Sequence, residues 1–130
     1  MPVAGDSYTV VLREAHLNWG TRRYTDTRER ILGEAYIQIP ATIARQFNIL
    51  RGSIFNARSI DGYFNHQLKA TGCSKKGDMH AKQFQGNGDL KVLGTWLLNI
   101  CNASPGDSVE VRWITSTEVI LRYIPQIINN

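Results

Sequence analysis

Alternating apolar and polar residues predict short β-strands along most of the chain. The alternation is clearest where Val109, Val111 and Trp113 occupy every second position, which is the period of a strand with one buried face. A β-branched stretch at 8–12 has the composition that strands favour. Strands are therefore predicted at 8–12, 35–39, 54–58, 63–69, 109–113 and 119–123.

Two segments have the period of an amphipathic helix instead. Ile43 and Phe47 form one apolar stripe after Pro40, a residue that suits the first position of a helix. We expect the second helix to begin at Asp89 as its N-cap. Its apolar positions recur at helical spacing and are Leu90, Leu93, Leu97, Leu98 and Cys101.

The two halves of the chain resemble each other. Residues 52–60 align with residues 106–114 at a constant offset of 54, and at this offset Ile43 falls on Leu97 and Phe47 on Cys101. Each half therefore predicts a helix, a glycine turn and a hairpin. Such a duplication predicts a barrel whose ends are closed by two helices, in the α+β or mainly β class.

Length and composition favour one domain spanning residues 1–130, with a core at about 8–124 and a frayed end after Pro125. No apolar run is long enough to cross a membrane. The first residues lack the basic and apolar regions of a secretory signal. With only Cys73 and Cys101 in the chain, we expect no disulfide framework and a cytoplasmic location.

The polar residues offer no pattern typical of a catalytic or metal site. The cysteines and histidines lack zinc-ligand spacing, and Glu110 and Glu118 are dispersed from the other acids. Cys73 and His80 have no third orienting group, and no phosphate-binding glycine loop is present. The sequence therefore predicts no enzyme activity, no metal and no cofactor.

The positive charge is concentrated in two places. The net charge is +4, and ten of the fifteen Lys and Arg residues lie within 13–30 and 69–91. Both segments contain stretches that read as long loops, at about 16–33 and 71–89, in which cations stand among Asn, Gln and aromatic residues. Such mixtures are typical of nucleic-acid binding, although charged loops can also be merely solvated.

Short motifs in a fixed order resemble two known families. Residues 35–53 resemble the strand–Ile-Pro–helix–Gly pattern of AbrB-type swapped-hairpin domains, but this likeness covers under half of the chain. The sequence Leu-Asn-Trp-Gly at 17–20 with Arg22, residues 35–41, Phe47, the helix 90–98 and Gly-Asp-Ser-Val at 106–109 together resemble the B3-like DNA-recognition domain of bacterial restriction endonucleases, including those attached to phospholipase-D-type nucleases. This resemblance covers about residues 8–124.

The resemblance to the B3-like family implies a seven-stranded open pseudobarrel with two capping helices. It also implies two arms that grip the major groove of double-stranded DNA, an N-arm at 18–30 and a C-arm around 72–91. These are the two segments in which the positive charge is concentrated. The chain would then serve as the recognition domain of a restriction endonuclease in the bacterial cytosol, with a nuclease domain or subunit as its partner.

The expected DNA-binding residues lie on both arms. Arginines would contact guanine or phosphate, aromatic rings would pack on the backbone or a base methyl group, lysines would hold phosphates, and amides would read adenine. The candidates are Asn18, Trp19, Arg22, Arg23, Tyr24, Arg28, Arg30, Lys75, Lys76, His80, Lys82, Gln83, Gln85, Asn87 and Lys91. Two alternatives stay open at this stage: a protein-protein or small-ligand interaction module, and a reader of modified cytosine with Trp19 or Tyr24 beside a flipped base.

Overall fold

A computed structural model describes residues 1–17, 35–72 and 77–126 of the chain. Its strands are β1 (Ser7–Val11), β2 (Ile37–Gln38), β3 (Ile54–Ser59), β4 (Asn65–Thr71), β5 (Gln83–Gly86), β6 (Ser108–Trp113) and β7 (Glu118–Ile124). Its helices are α1 (Glu14–Leu17), α2 (Ala41–Gln46) and α3 (Val92–Gly94), and α3 continues into a π-helical segment (Thr95–Ile100).

The strands form one sheet in the order β1-β6-β7-β3-β4-β5-β2. Every pairing is antiparallel except that between β3 and β7, which is parallel. The two edge strands meet where Tyr8 Oη donates a hydrogen bond of 3.0 Å to the carbonyl oxygen of Gln38. The sheet is therefore a nearly closed, seven-stranded barrel, which confirms the predicted mainly β pseudobarrel.

Aromatic rings fill the barrel around the fully buried Trp113. The rings of Tyr8, Phe47, Phe55 and Phe84 have centroids 5.6–6.3 Å from that of Trp113, within the range of favourable aromatic contacts. These contacts place the aromatic rings at the centre of the core. Within the described part of the chain, the Trp113 indole N–H has no hydrogen-bond partner, so packing rather than polar bonding holds the ring.

The predicted duplication is visible in the backbone. The π-helical segment lies 54 residues after α2, and β6 lies 54 residues after β3. Asn48 and Asn102, which follow the two helical segments, share a left-handed conformation with φ of 54° and 53°. Gly52 and Gly106 precede β3 and β6 by two residues and have φ of 88° and 102°. Asparagine and glycine are the residues that tolerate this conformation, so both halves turn in the same way.

The helices begin later than the sequence predicts. Pro40 has an extended ψ of 142° and caps α2 instead of opening it. Asp89 accepts a hydrogen bond of 3.0 Å from the Lys91 N–H, a local turn that precedes α3, and Lys91 holds the cap position. The later turns widen, since Cys101 N donates to Trp96 O across five residues.

Two predicted loops are wrong in their extent. The predicted loop 71–89 contains β5, which pairs with both β4 and β2. The predicted loop 16–33 begins too early, because His16 and Leu17 belong to α1 and are buried. The strand predicted at 35–39 is reduced to β2, and β4 lies two residues later than the predicted 63–69.

Candidate nucleic-acid interface

Four adjacent strands present an outer surface without carboxylates. Neither aspartate nor glutamate occurs in β2, β3, β4 or β5, and the alternating burial of β3, β4 and β5 turns one side of each strand outward. We call this surface the amide face, because carboxamides are its commonest side chains. It consists of Gln38, Ile54, Asn56, Arg58, Asn65, Gln67, Lys69, Thr71, Gln83 and Gln85.

Hydrogen bonds between side chains orient several of these amides. Gln67 Nε2 donates to Asn56 Oδ1 at 3.2 Å, and Asn87 Nδ2 donates to Gln67 Oε1 at 3.1 Å. Thr71 Oγ1 donates to Gln85 Oε1 at 3.3 Å. Because the Gln85 oxygen is engaged, its Nε2 is left as the available donor on the outer surface.

The segment 18–34 joins the barrel at one end of β5. The main chain on its two sides is held together, since Tyr36 N donates to His16 O at 3.2 Å and the two rings meet edge to face at 4.9 Å. The register of β2 on β5 pairs Ile37 with Phe84, so the chain returning from 18–34 arrives beside the Gly86 end of β5.

The His16 ring at this junction is uncharged at neutral pH. It is buried, and its Nδ1 accepts a hydrogen bond from the Arg13 N–H. Burial, and then the positive charge of Arg13, lower the pKa of His16. The junction therefore rests on packing and main-chain bonding, not on an ion pair of this histidine.

The segment 73–76 joins the barrel at the other end of β5. Lys82 N donates to Thr71 O at 2.9 Å where the two flanking strands meet, and Gln83 lies opposite Thr71 in the register. The two junctions are separated by the length of β5, about 10 Å for four residues. The middle of the amide face lies between them.

Asp78 fastens the second junction to the rest of the domain. Its carboxylate accepts a hydrogen bond of 3.0 Å from the His80 N–H and lies 3.4 Å from His80 Nδ1 and 3.6 Å from Arg45 Nη2. Its main-chain oxygen accepts a hydrogen bond of 3.4 Å from Arg51 Nη1. The bond from the His80 N–H is the main reason why the pKa of Asp78 is lowered, so Asp78 is ionised where it holds these partners.

A cleft lies at the corner between the amide face and this junction. It has a volume of about 480 Å³ and is lined by Arg51, Gly52, Lys69, Ala70, Thr71 and Gly72. We call it the corner cleft. Gly52 N donates to Ala70 O at 2.8 Å, which brings the turn that carries Arg51 against β4. Within the described ranges, neither Arg51 nor Lys69 forms an ion pair with a carboxylate.

Residues 6–109 match the NgoFVII C-terminal B3-like DNA-binding domain. The chain belongs to this family. It is therefore a B3-like domain, and DNA is its partner, as the resemblance seen in the sequence led us to expect. None of the curated proteins matches the sequence closely enough to count as a relative.

Two solved structures share the fold of this B3-like domain. The N-terminal domain of Helicobacter pylori LlaJI.R1 is 12% identical, with a TM-score of 0.59 over 92% of this chain and 87% of that one. The hypothetical Arabidopsis thaliana protein At1g16640.1 is 8% identical, with a TM-score of 0.57 over 99% of both chains. At such low identities the likeness concerns the fold alone.

The B3-like domain places some of the predicted DNA-binding residues on the amide face and others around it. Gln83 and Gln85 lie on β5 and not in a loop, with Lys82 exposed just before it and Asn87 just after. His80 is held against Asp78, and Lys91 is exposed at the start of α3. Outside the described residues lie Asn18, Trp19, Arg22, Arg23, Tyr24, Arg28, Arg30, Lys75 and Lys76.

Sequence reasoning missed the two cations of the corner cleft as members of a site. Lys69 entered only the count of charges, and Arg51 lies outside both basic segments. A signal was available for β4, in which Gln67, Lys69 and Thr71 alternate with apolar residues. No signal linked Arg51 to them, because its position depends on how the turn packs.

The described part of the B3-like domain holds neither a group of metal ligands nor a membrane-spanning helix. Among residues 1–17, 35–72 and 77–126, no three His, Cys, Asp or Glu side chains are grouped so that they could hold a metal ion. No helix in these ranges is both long and apolar enough to span a membrane. Burial, and then the Asp61 carboxylate, raise the pKa of Cys101 to about 11, so this half-buried residue is a thiol at neutral pH.

Proposed function

We propose that this B3-like domain binds double-stranded DNA sequence-specifically, with the amide face against the major groove and one arm on either side. The observation that carries the proposal is the surface itself: four strands without a carboxylate, bounded at the two ends of β5 by the points where the segments 18–34 and 73–76 leave the barrel. A polyanion is attracted to such a surface, because its cations share these four strands with no carboxylate.

The chemistry of the amide face suits the edges of base pairs. Carboxamides can donate and accept at once, as adenine requires, and an outward-facing cation such as Arg58 can contact guanine or phosphate. Along β4, the outward positions from Gln67 to Thr71 extend over about 13 Å, close to the width of about 12 Å of the major groove. The face therefore offers a reading surface of the right size.

The two arms supply most of the phosphate-binding charge in this proposal. The N-arm would contribute arginines and the rings of Trp19 and Tyr24, and the C-arm would contribute Lys75, Lys76 and Lys82. Since β5 is a strand, the C-arm is better defined as residues 72–82, with Gln83 and Gln85 as part of the reading surface. Arg22, Arg23, Arg28 and Arg30 remain candidates for guanine or phosphate contacts.

We also propose that the domain serves a restriction endonuclease whose cleavage step resides in another domain or subunit. The support is the resemblance to recognition domains that are attached to nucleases, together with membership of a family described by DNA binding. A nuclease partner would gain its sequence selectivity from the amide face and arms, which themselves need no reactive group.

Selection from a random duplex library, with and without modified cytosine, tests the function directly. We expect one short enriched site, and an affinity for it that falls log-linearly with salt. Replacing Gln83 or Gln85 by alanine should relax the preference at one position and weaken binding by about 1–3 kcal/mol. Failure to retain any duplex at low salt would contradict the proposal and favour an interaction module for protein or a small ligand.

Enrichment only in the library with modified cytosine would keep DNA binding and assign the domain to the modified-base readers. Enrichment in both libraries would show that modification is not required. Cleavage of the selected site after addition of a candidate nuclease subunit, and not of a scrambled site, would support the restriction role.

A further inference from the structure

We propose that the corner cleft binds one backbone phosphate of the DNA duplex, at the border of the amide face. The proposal rests on the DNA-binding function above and adds the contact that fixes where the duplex lies along the amide face. The ligand is a phosphodiester in a DNA strand, recognised by the guanidinium of Arg51 and the ammonium group of Lys69.

The Arg51 side chain is held in place before any ligand binds. Its Nη1 donates to the main-chain oxygen of Asp78 at 3.4 Å, and its main-chain N–H donates to Met79 O at 2.9 Å. These bonds engage one donor of a guanidinium that has five. The remaining donors are free to bind an anion.

Lys69 supplies the second positive charge that lines the cleft. It lies near the end of β4, paired with Ile54 on one side and with Gln85 on the other, and it is half-buried. Neither neighbour is an acid, so its charge is not neutralised across the strands. The acid at the same junction, Asp78, is already engaged by Arg45 and His80.

The walls between the two cations allow a sugar-phosphate chain to approach. Gly52 and Gly72 carry no side chain, and an added Cβ at Gly52 would meet no atom within 4 Å, so this side of the cleft is open. The Thr71 hydroxyl is donated to Gln85 and is not available to donate to a base. Two uncommitted cations at the border of a polar surface fit a phosphate better than a base edge, because phosphate contacts need charge and not a donor-acceptor pattern.

A phosphate bound here would act as a reference point for the whole duplex. Gln85 lies beside Lys69, one strand over, so a strand anchored at the cleft brings its neighbouring base edges to a constant position over β5. Arg51 and Lys69 are therefore positioning residues in this proposal, and they should affect all DNA sequences alike.

The test uses Lys69→Met and Arg51→Gln in the full chain, with Arg112→Gln as the matched control. Each change removes one positive charge, but Arg112 lies exposed on β6, three strands away from β4. We expect about tenfold weaker binding for each cleft variant and a salt slope smaller by about one, with an unchanged selected site. The control should stay within about twofold.

Duplexes with a single neutral methylphosphonate locate the contact. At one phosphate, this neutralisation should weaken DNA binding by the wild type about tenfold. It should leave binding by Lys69→Met almost unchanged, because that variant has already lost the contact between Lys69 and the phosphate. Equal losses for the wild type and both variants at every phosphate would overturn the proposal, as would relaxed preference at a single base pair in Lys69→Met.

The result separates this inference from the function on which it rests. If the wild type binds no duplex at low salt, the proposed function fails. If the wild type binds a selected site but neither variant couples to any phosphate, only the cleft proposal fails. Arg51→Gln also loses the bond to Asp78, so Lys69→Met, which removes no described hydrogen bond, decides between loss of the phosphate contact and displacement of the arm.

Discussion

The amide face and the outer surface of β1, β6 and β7 differ in charge although they enclose the same core. On β6 and β7, Glu110 and Glu118 balance Arg112 and Arg122, and Arg122 Nη2 lies 3.3 Å from Glu110 Oε2. The amide face has cations and carboxamides and no acid. The two regions are thus alike in their buried apolar residues, which packing requires. They differ in their outward-facing residues, which packing leaves free to vary.

The duplication sharpens this contrast. β3 and β6 occupy equivalent positions in the two halves, each after a helical segment, a left-handed asparagine and a glycine turn. Their buried positions serve the same barrel, yet only β3 forms part of the surface that we assign to DNA. Under the proposed function, the residues that bind DNA are outward-facing ones that the repeat does not constrain.

A new carboxylate on the amide face should have the largest effect. Gln85→Glu and Arg112→Gln both lower the net charge by one, but on opposite parts of the barrel. We expect Gln85→Glu to weaken DNA binding about 100-fold, because a like charge facing the DNA costs several kcal/mol. Arg112→Gln should change the affinity about twofold at most. Similar losses in a gel-shift titration would show that total charge, and not the face, governs binding.

An acid near the amide face should strengthen DNA binding by holding the second junction. Asp78→Asn raises the net charge and by electrostatics alone would favour DNA, but it weakens the attachments to Arg45 and His80. We expect about tenfold weaker binding. The control, Glu110→Gln, makes the same charge change on β6. It breaks only the surface ion pair with Arg122, and such pairs contribute little to stability. Tighter binding by Asp78→Asn would rule out the positioning role.

The sequence predicted the barrel and the duplication, because each leaves a periodic trace in apolar residues. It did not predict β5, whose sequence Gln-Phe-Gln-Gly contains one large apolar residue and which becomes a strand by pairing with β4 and β2. Nor could it predict the corner cleft. Arg51 and Lys69 line one cleft because the main chain of Gly52 bonds to Ala70, and tertiary packing of this kind has no local signature.

The two halves should also differ in how acid affects their turns. Burial by itself would raise the pKa of Asp107, but hydrogen bonds from Tyr123, Ser104 and Gln126 outweigh it and lower the pKa. A lowered pKa adds stability that is present above the unfolded-state pKa and is lost as pH falls through the folded one. We therefore expect Asp107→Asn to lower the free energy of unfolding at pH 7 by about 1–2 kcal/mol, and the difference to shrink below about pH 4.

Ser53 is the matched control for this experiment, since it occupies the equivalent turn. Ser53 N donates to Leu50 O at 3.2 Å, as Asp107 N donates to Ser104 O at 3.1 Å. Ser53→Ala should change the unfolding free energy by about 0.5 kcal/mol at most, equally at pH 7 and pH 3. A pH-independent loss for Asp107→Asn in urea unfolding would mean that its carboxylate charge adds nothing.

The smallest effect is expected where the two halves are most alike. Asn48→Ala and Asn102→Ala each remove the short polar side chain that lets asparagine tolerate the left-handed conformation. Each substitution should lower the free energy of unfolding by about 1 kcal/mol. Thermal unfolding should show the same direction and similar size of change for both variants. A loss in only one of them would show that the shared backbone geometry does not carry equal weight in the two halves.

The bond between Tyr8 and Gln38 closes the barrel through a side chain, whereas the other neighbouring strands are joined through their main chains. Only this side chain connects the edge strands β1 and β2 in the described part of the chain. An inner strand such as β3 is hydrogen-bonded to a neighbouring strand on both sides. Local opening should therefore start between β1 and β2. We expect the amide hydrogen of Ile37 to exchange with solvent sooner than that of Ala57. The segment 18–34 joins the barrel close to this contact. A bound duplex that contacts both edge strands would therefore oppose their separation.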